Sequence, residues 1–192
     1  MKTRAIRQRL VPYLAFGLFG IAAAYLVVPP AKAAPMPKEV QAKVDKYKEK
    51  LVKWAADPII VNAVREANAK GPLPGMSNSK WIELGDKDPV VAAFQTSPAG
   101  KLVSKWEQDK NLGKLNIRDA KGNLVAASSS AKPLLYNNGT KPPFVNGMKG
   151  EPWAAGEMKP DPTTQRNSVQ IAAPVLDGGK PVGVIHSAVQ VQ

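Results

Sequence analysis

Leu115 to Ser128 reads LNIRDAKGNLVAAS, and Ser168 to Val191 reads SVQIAAPVLDGGKPVGVIHSAVQV. Each stretch is two apolar-rich runs joined by a short glycine-bearing turn. In the first, Leu115–Asp119 alternates as a strand does, Ala120-Lys121-Gly122-Asn123 turns, and Leu124–Ser128 returns. In the second, Ser168–Val175 is the outgoing strand, Asp177-Gly178-Gly179-Lys180 the turn, and Val182–Val191 the return. Pro181 falls at a strand start, where its missing N–H is tolerated. On the last strand Val182, Val184, His186 and Ala188 share one face, and Ile185, Val189 and Val191 share the other. Two apolar faces predict a central strand covered on both sides.

Upstream of these hairpins the period is helical. Val40, Val44, Tyr47, Leu51 and Trp54 recur at spacings of 4, 3, 4 and 3, a narrow apolar stripe on a charged helix from Lys38 to Trp54. The lysines off that stripe are most simply a solvated face. Asp57-Pro58, Asp88-Pro89 and Ser97-Pro98 each read as an N-cap followed by proline at the first helical position, so shorter helices start there. Gly71-Pro72-Leu73-Pro74-Gly75 ends the first of them. Between the hairpins, residues 129–167 hold six prolines and four glycines with little periodicity. A segment this long is functional or disordered, and Tyr136, Phe144 and Trp153 within it argue for order. The predicted class is α+β, an antiparallel sheet of about four to six strands with a long N-terminal helix and short flanking helices.

The chain is 192 residues long, with no cysteine, one histidine and a formal net charge of +12. Disulfide scaffolds, thiol nucleophiles, zinc fingers and iron–sulfur sites are excluded, and any histidine chemistry must pass through His186. The acids Asp119, Glu151, Glu157, Asp161 and Asp177 are scattered through turns and loops and match no catalytic motif. The expectation is therefore no enzyme, no metal and no cofactor. Residues 1–34 have a basic start (Lys2, Arg4, Arg7, Arg9), an uncharged run from Leu10 to Val28, and Ala31-Lys32-Ala33-Ala34. That order reads as a secretory signal peptide cleaved after Ala33, or, because the run is 19 residues, as an uncleaved N-terminal membrane anchor through residues 10–28. Either reading exports residues 35–192 as a single periplasmic or extracytoplasmic domain, soluble or tethered. A basic exported chain points to anionic lipid, an acidic partner or solubility, and away from nucleic acid.

Asp119-x-x-Gly122-x-x-Val125-Ala126, then Gln170-Ile171-x-x-Pro174-Val175, then Gly179-x-x-x-Gly183-Val184 together resemble the extracytoplasmic Cache (PDC) sensor domains of bacterial receptors. The resemblance covers residues 38–192 and implies a PAS/Cache-like sheet with a small-molecule pocket. That pocket would lie between the sheet's concave face and the loop Ser129–Asn167. By position, Tyr136 and Trp153 match the family's aromatic pocket residues. The family's aromatic-Asp-x-Ser stretch is replaced here by Met158-Lys159-Pro160-Asp161-Pro162, which tells against amine recognition. The candidate ligand-binding residues are Tyr136 and Trp153 to enclose the ligand, and Arg118 and His186 to orient it. Arginine binds carboxylates bidentately, so an anionic organic ligand is among the candidates; the plain alternative for Arg118 and for Arg166 is a surface charge. For His186 the plain alternative is a satisfied core histidine. The sequence reaches Gln192 with no transmitter module after the last strand. Two functions are expected from this: an exported small-molecule-binding, sensor-type domain, or an accessory subunit of a periplasmic membrane complex held by an uncleaved N-terminal helix.

Overall fold

The computed structural model describes residues 36–161 and 165–191. The signal or anchor reading of residues 1–34 lies outside the described residues. Among the described residues, no helix is long and apolar enough to cross a membrane.

Six strands form one antiparallel sheet: β1 (Asn116–Asp119), β2 (Leu124–Ala127), β3 (Trp153–Ala154), β4 (Lys159–Pro160), β5 (Asn167–Asp177) and β6 (Lys180–Gln190). The order is β2-β1-β6-β5-β3, with β4 also on β5. The β5–β6 hairpin turns through Gly178 (φ 57°) and Gly179 (φ 79°). Both are left-handed, which glycine adopts without a Cβ penalty and which matches the strand twist. β6 pairs with β5 on one side and β1 on the other, so it is central, as its two apolar faces predict.

One face of the sheet carries Ile117, Ile171, Ala173, Val175, Ile185 and Val189, all fully buried. They pack on α1 (Lys38–Ala55), α2 (Pro58–Lys70) and α5 (Pro98–Trp106). The stripe on α1 supplies Val44, Tyr47 and Leu51 to this core, with Val40 and Trp54 at its edge. Each such buried aliphatic side chain contributes about 1.5–3 kcal/mol. The expected caps are present. Asp57 accepts from Ile59 N (2.8 Å), Asp88 from Val90 N (2.8 Å) in front of α4 (Pro89–Thr96), and Ser97 from Gly100 N (3.0 Å).

The structure adds elements that the sequence pattern does not announce. Ser77 caps a six-residue helix, α3 (Asn78–Glu83), whose Trp81 is wholly buried with Val91, Leu124 and Tyr136. The aperiodic stretch 129–167 contains α6 (Pro142–Gly147), β3 and β4. α6 lies on the second face of the sheet. A Cβ at Gly147 would stand 2.9 Å from Val184 Cγ1, so only glycine permits this approach.

Candidate functional site

Register places the polar residues of β1 on that second face. Asn116 is opposite His186 and Arg118 opposite Val184. Directly opposed residues of an antiparallel pair project from the same face. Next along are Ala188 and, across β5, Gln170. Asn116, Arg118, His186, Ala188 and Gln170 thus form the floor of a cavity of about 260 Å³. Its roof is the coil Pro133-Leu134-Leu135 with Asn138 and the start of α6, Lys141 to Pro143; Lys114 and Asp161 line it as well.

The roof is tied down from two sides. Trp81 Nε1 donates to the Pro133 carbonyl (2.7 Å). Lys132 Nζ donates to the carbonyls of Trp81 (3.1 Å), Ile82 (3.3 Å) and Leu84 at the C-terminus of α3, where a cation is favoured. Asn78 exchanges hydrogen bonds with the backbone of Asn137. From the floor, Arg118 Nη1 donates to the carbonyls of Leu135 (3.1 Å) and Tyr136 (2.7 Å).

Arg118 is 1 % exposed. Among the described residues it belongs to no ion pair. The neighbouring Asp119 carboxylate is engaged in its own hairpin, accepting from the backbone of Lys121 and Asn123 and from the Asn123 amide. Arg118 Nε donates to His186 Nε2 (3.3 Å). Its Nη2 makes no hydrogen bond to a described residue, although it belongs to a side chain that lines the cavity. Burial lowers the guanidinium's pKa to about 9, which leaves it charged at neutral pH. Burying a cation without an ion-pair partner costs several kcal/mol, and the charge of nearby Asp119 only partly offsets the effect of burial on Arg118.

His186 is held neutral. Burial, then the charge of Arg118, pushes its pKa down to about 3. A guanidinium only donates, so Nε2 is the acceptor and the proton sits on Nδ1. The Asn138 amide nitrogen also lies 3.5 Å from Nε2. Burial lowers the pKa of the Lys114 ammonium too, against the raising effect of Asp161, Glu107 and Asp86. With Arg118, Lys114 and Lys141 against Asp161, the lining carries an excess of positive charge.

Arg118 and His186 are thus brought together, 68 residues apart in sequence. The surface-charge alternative for Arg118 does not fit its burial. Tyr136 and Trp153 are placed elsewhere. The Tyr136 ring packs with Trp81 and Phe94 (centroids 5.9 and 6.2 Å), and its hydroxyl accepts from Leu73 N (2.7 Å). It lines a separate depression of about 690 Å³ beside α2, and only its backbone carbonyl serves the cavity roof. Trp153, on β3 opposite Ala172, packs with Phe144, Ala172 and Val184 and is absent from the cavity lining. Arg166 donates to Gln190 Oε1 (3.1 Å), also away from the lining. Asp161, the doubtful match, does line the cavity. Asn116 and Lys114 were missed. For Asn116 a signal existed, since it alternates with Arg118 along β1. Among the described residues, no group of three or more His, Asp or Glu side chains is arranged to hold a metal ion.

No family model matches the chain, and no curated protein matches it in sequence. Solved structures do match in fold. The Vibrio cholerae histidine kinase DctB sensor domain aligns with a TM-score of 0.55 and 18% identity over 79% of this chain. The chain spans about half of that domain, 50% of its length. The Escherichia coli DcuS sensor domain aligns at TM-score 0.47 and 10% identity, over 78% of this chain and 90% of that one. The ligand-binding domain of the Campylobacter jejuni chemoreceptor Tlp3, in complex with L-norvaline, aligns at 0.44 and 12%, over 80% of this chain and 55% of that one.

Proposed function

We propose that this chain, whose fold is that of the Cache (PDC) extracytoplasmic sensor domains, is an exported binding module for a small anionic organic ligand and not an enzyme. The observation that carries the proposal is Arg118: a charged guanidinium, buried under a roof, with an unengaged nitrogen and no counter-ion among the described residues. A carboxylate in the cavity supplies the missing charge and two acceptor oxygens. The His186 Nδ1–H and the Lys114 ammonium are the additional donors. At about 260 Å³ the cavity suits a metabolite of a few carbons, below the usual size of drug-like sites.

Of the candidate residues, Arg118 and His186 take the binding roles. Tyr136 positions the roof through its carbonyl, and Trp153 packs the neighbouring end of the sheet. An open, polar-lined floor supports a binder over an accessory subunit whose sheet face is filled.

Thermal unfolding against a panel of small carboxylates, amines and purines tests the proposal. A ligand at about 100 times its dissociation constant adds roughly 2.7 kcal/mol. For a domain of this size that is a Tm rise on the order of 5–10 °C. Rises confined to carboxylates are expected. A panel in which no acid raises Tm would remove the proposal.

A further inference from the structure

Asn116 is the floor residue with the least explained chemistry. It is 8 % exposed, it lines the cavity, and its Oδ1 is buried with no hydrogen-bond partner. The buried atom left without a partner is thus the acceptor end of the carboxamide. Buried amides without partners are rare and cost free energy, whichever way the amide is turned. Its place is fixed, however. β1 hydrogen-bonds on both sides, to β2 and β6, and Asn116 stands opposite His186 and two residues from Arg118 on the same face.

Resting on the carboxylate-binding proposal, we infer that Asn116 is a specificity-determining residue that selects small hydroxycarboxylates over the same acids lacking the hydroxyl. Arg118 Nη2 and His186 Nδ1–H can only donate, so they suit carboxylate oxygens. Asn116 is then left for a group beside the carboxylate. A hydroxyl both donates and accepts, so it satisfies the carboxamide in either orientation. An ammonium could meet only the oxygen, and it would sit among Arg118, Lys114 and Lys141. A plain alkyl group would leave the carboxamide dry and unpaired, and a site built around a polar partner rejects analogues that lack it.

The test uses matched acids and calorimetric titration of the protein: lactate against propionate, which differ by one hydroxyl, with alanine as the amine counterpart. The expected order is lactate, then propionate and alanine, with lactate favoured over propionate by roughly tenfold or more. Asn116→Leu removes the polar group at similar volume. It is expected to bring the lactate-to-propionate ratio close to one, mainly by weakening lactate. Asn116→Ala serves if the leucine variant does not fold. Equal affinity for lactate and propionate in the native protein, as an ordered water on Asn116 would give, overturns the inference and leaves carboxylate binding intact. A lactate preference that survives both substitutions also overturns it. If no acid binds and Arg118→Met titrates like the native protein, the underlying proposal falls together with this one.

Discussion

Replacing Arg118 by Met separates a ligand receptor from a structural strap. The side chain makes three hydrogen bonds, to His186 and to the carbonyls of Leu135 and Tyr136. Bonds from a charged donor contribute about 1.5–3 kcal/mol each, or roughly 5–9 kcal/mol for three. Against this stands the desolvation of a cation with no carboxylate beside it, also several kcal/mol. Methionine keeps the apolar stem and removes both terms. The Tyr136 carbonyl retains a second donor, Leu124 N at 2.8 Å, so Leu135 is the carbonyl left short. The net change in the ligand-free protein is expected within about 2 kcal/mol, a Tm change of a few degrees. Binding behaves differently. Truncating one member of a desolvated charge pair costs about 2–5 kcal/mol, raising Kd roughly 30- to 5,000-fold. Differential scanning calorimetry with and without a carboxylate that stabilises the native protein reads both quantities at once. If Tm falls by more than about 10 °C while carboxylate stabilisation persists, Arg118 is a strap for the roof and not the anion receptor.

Acidification should destabilise the fold before any carboxylate titrates. His186 has a folded pKa of about 3 against an ordinary 6.5, so between these values the unfolded chain holds the extra proton and stability falls with pH. Between pH 7 and 5 the loss is about 2 kcal/mol, and His186→Gln should flatten the Tm-against-pH curve there. At lower pH a second decline is expected from Asp109. Burial raises its carboxyl pKa, but hydrogen bonds from Lys50, Asn111 and Tyr47 more than offset this and hold it below the usual range. Its stabilisation is therefore complete above the ordinary value and is lost as pH falls through the lower folded one. Asp109→Asn should remove that decline in the same scan. Gly147→Val should lift α6 from Val184, lower stability by about 1–3 kcal/mol and reshape the cavity mouth, read by calorimetry and ligand titration. Trp81→Phe deletes the donor to Pro133, and it should cost about 1–3 kcal/mol and weaken ligand binding through a loosened roof.

Both hairpins were legible because alternation and glycine turns are local signals that the chain states outright. The capped helices were legible for the same reason: Asp57, Asp88 and Ser97 each precede a proline and bond within three residues. α3 was not, because six residues with one large buried side chain, Trp81, make no period. The floor was half legible. Arg118 and His186 lie on recognisable strands, but their meeting depends on β1 pairing with β6, and strand pairing across a long connection leaves no local mark. The aromatics stand away from the cavity lining for a different reason. Tyr136 lies in coil, where no periodicity sets side-chain direction, and the apolar company of Trp81 and Phe94 turned its ring away from the cavity.

The central position of β6 also bears on time. β6 joins β1 to β5, and the cavity floor needs residues 116, 118 and 186 together. Before β6 arrives, β1 and β2 form an isolated two-strand ribbon, which is marginal in water. Ile185 and Val189 of the core face and His186 and Ala188 of the floor are then missing. Because β1 meets β6 across a long connection, a fragment lacking β6 is expected to hold neither the closed sheet nor the cavity floor. The cavity is therefore built by the same strand pairing that completes the sheet.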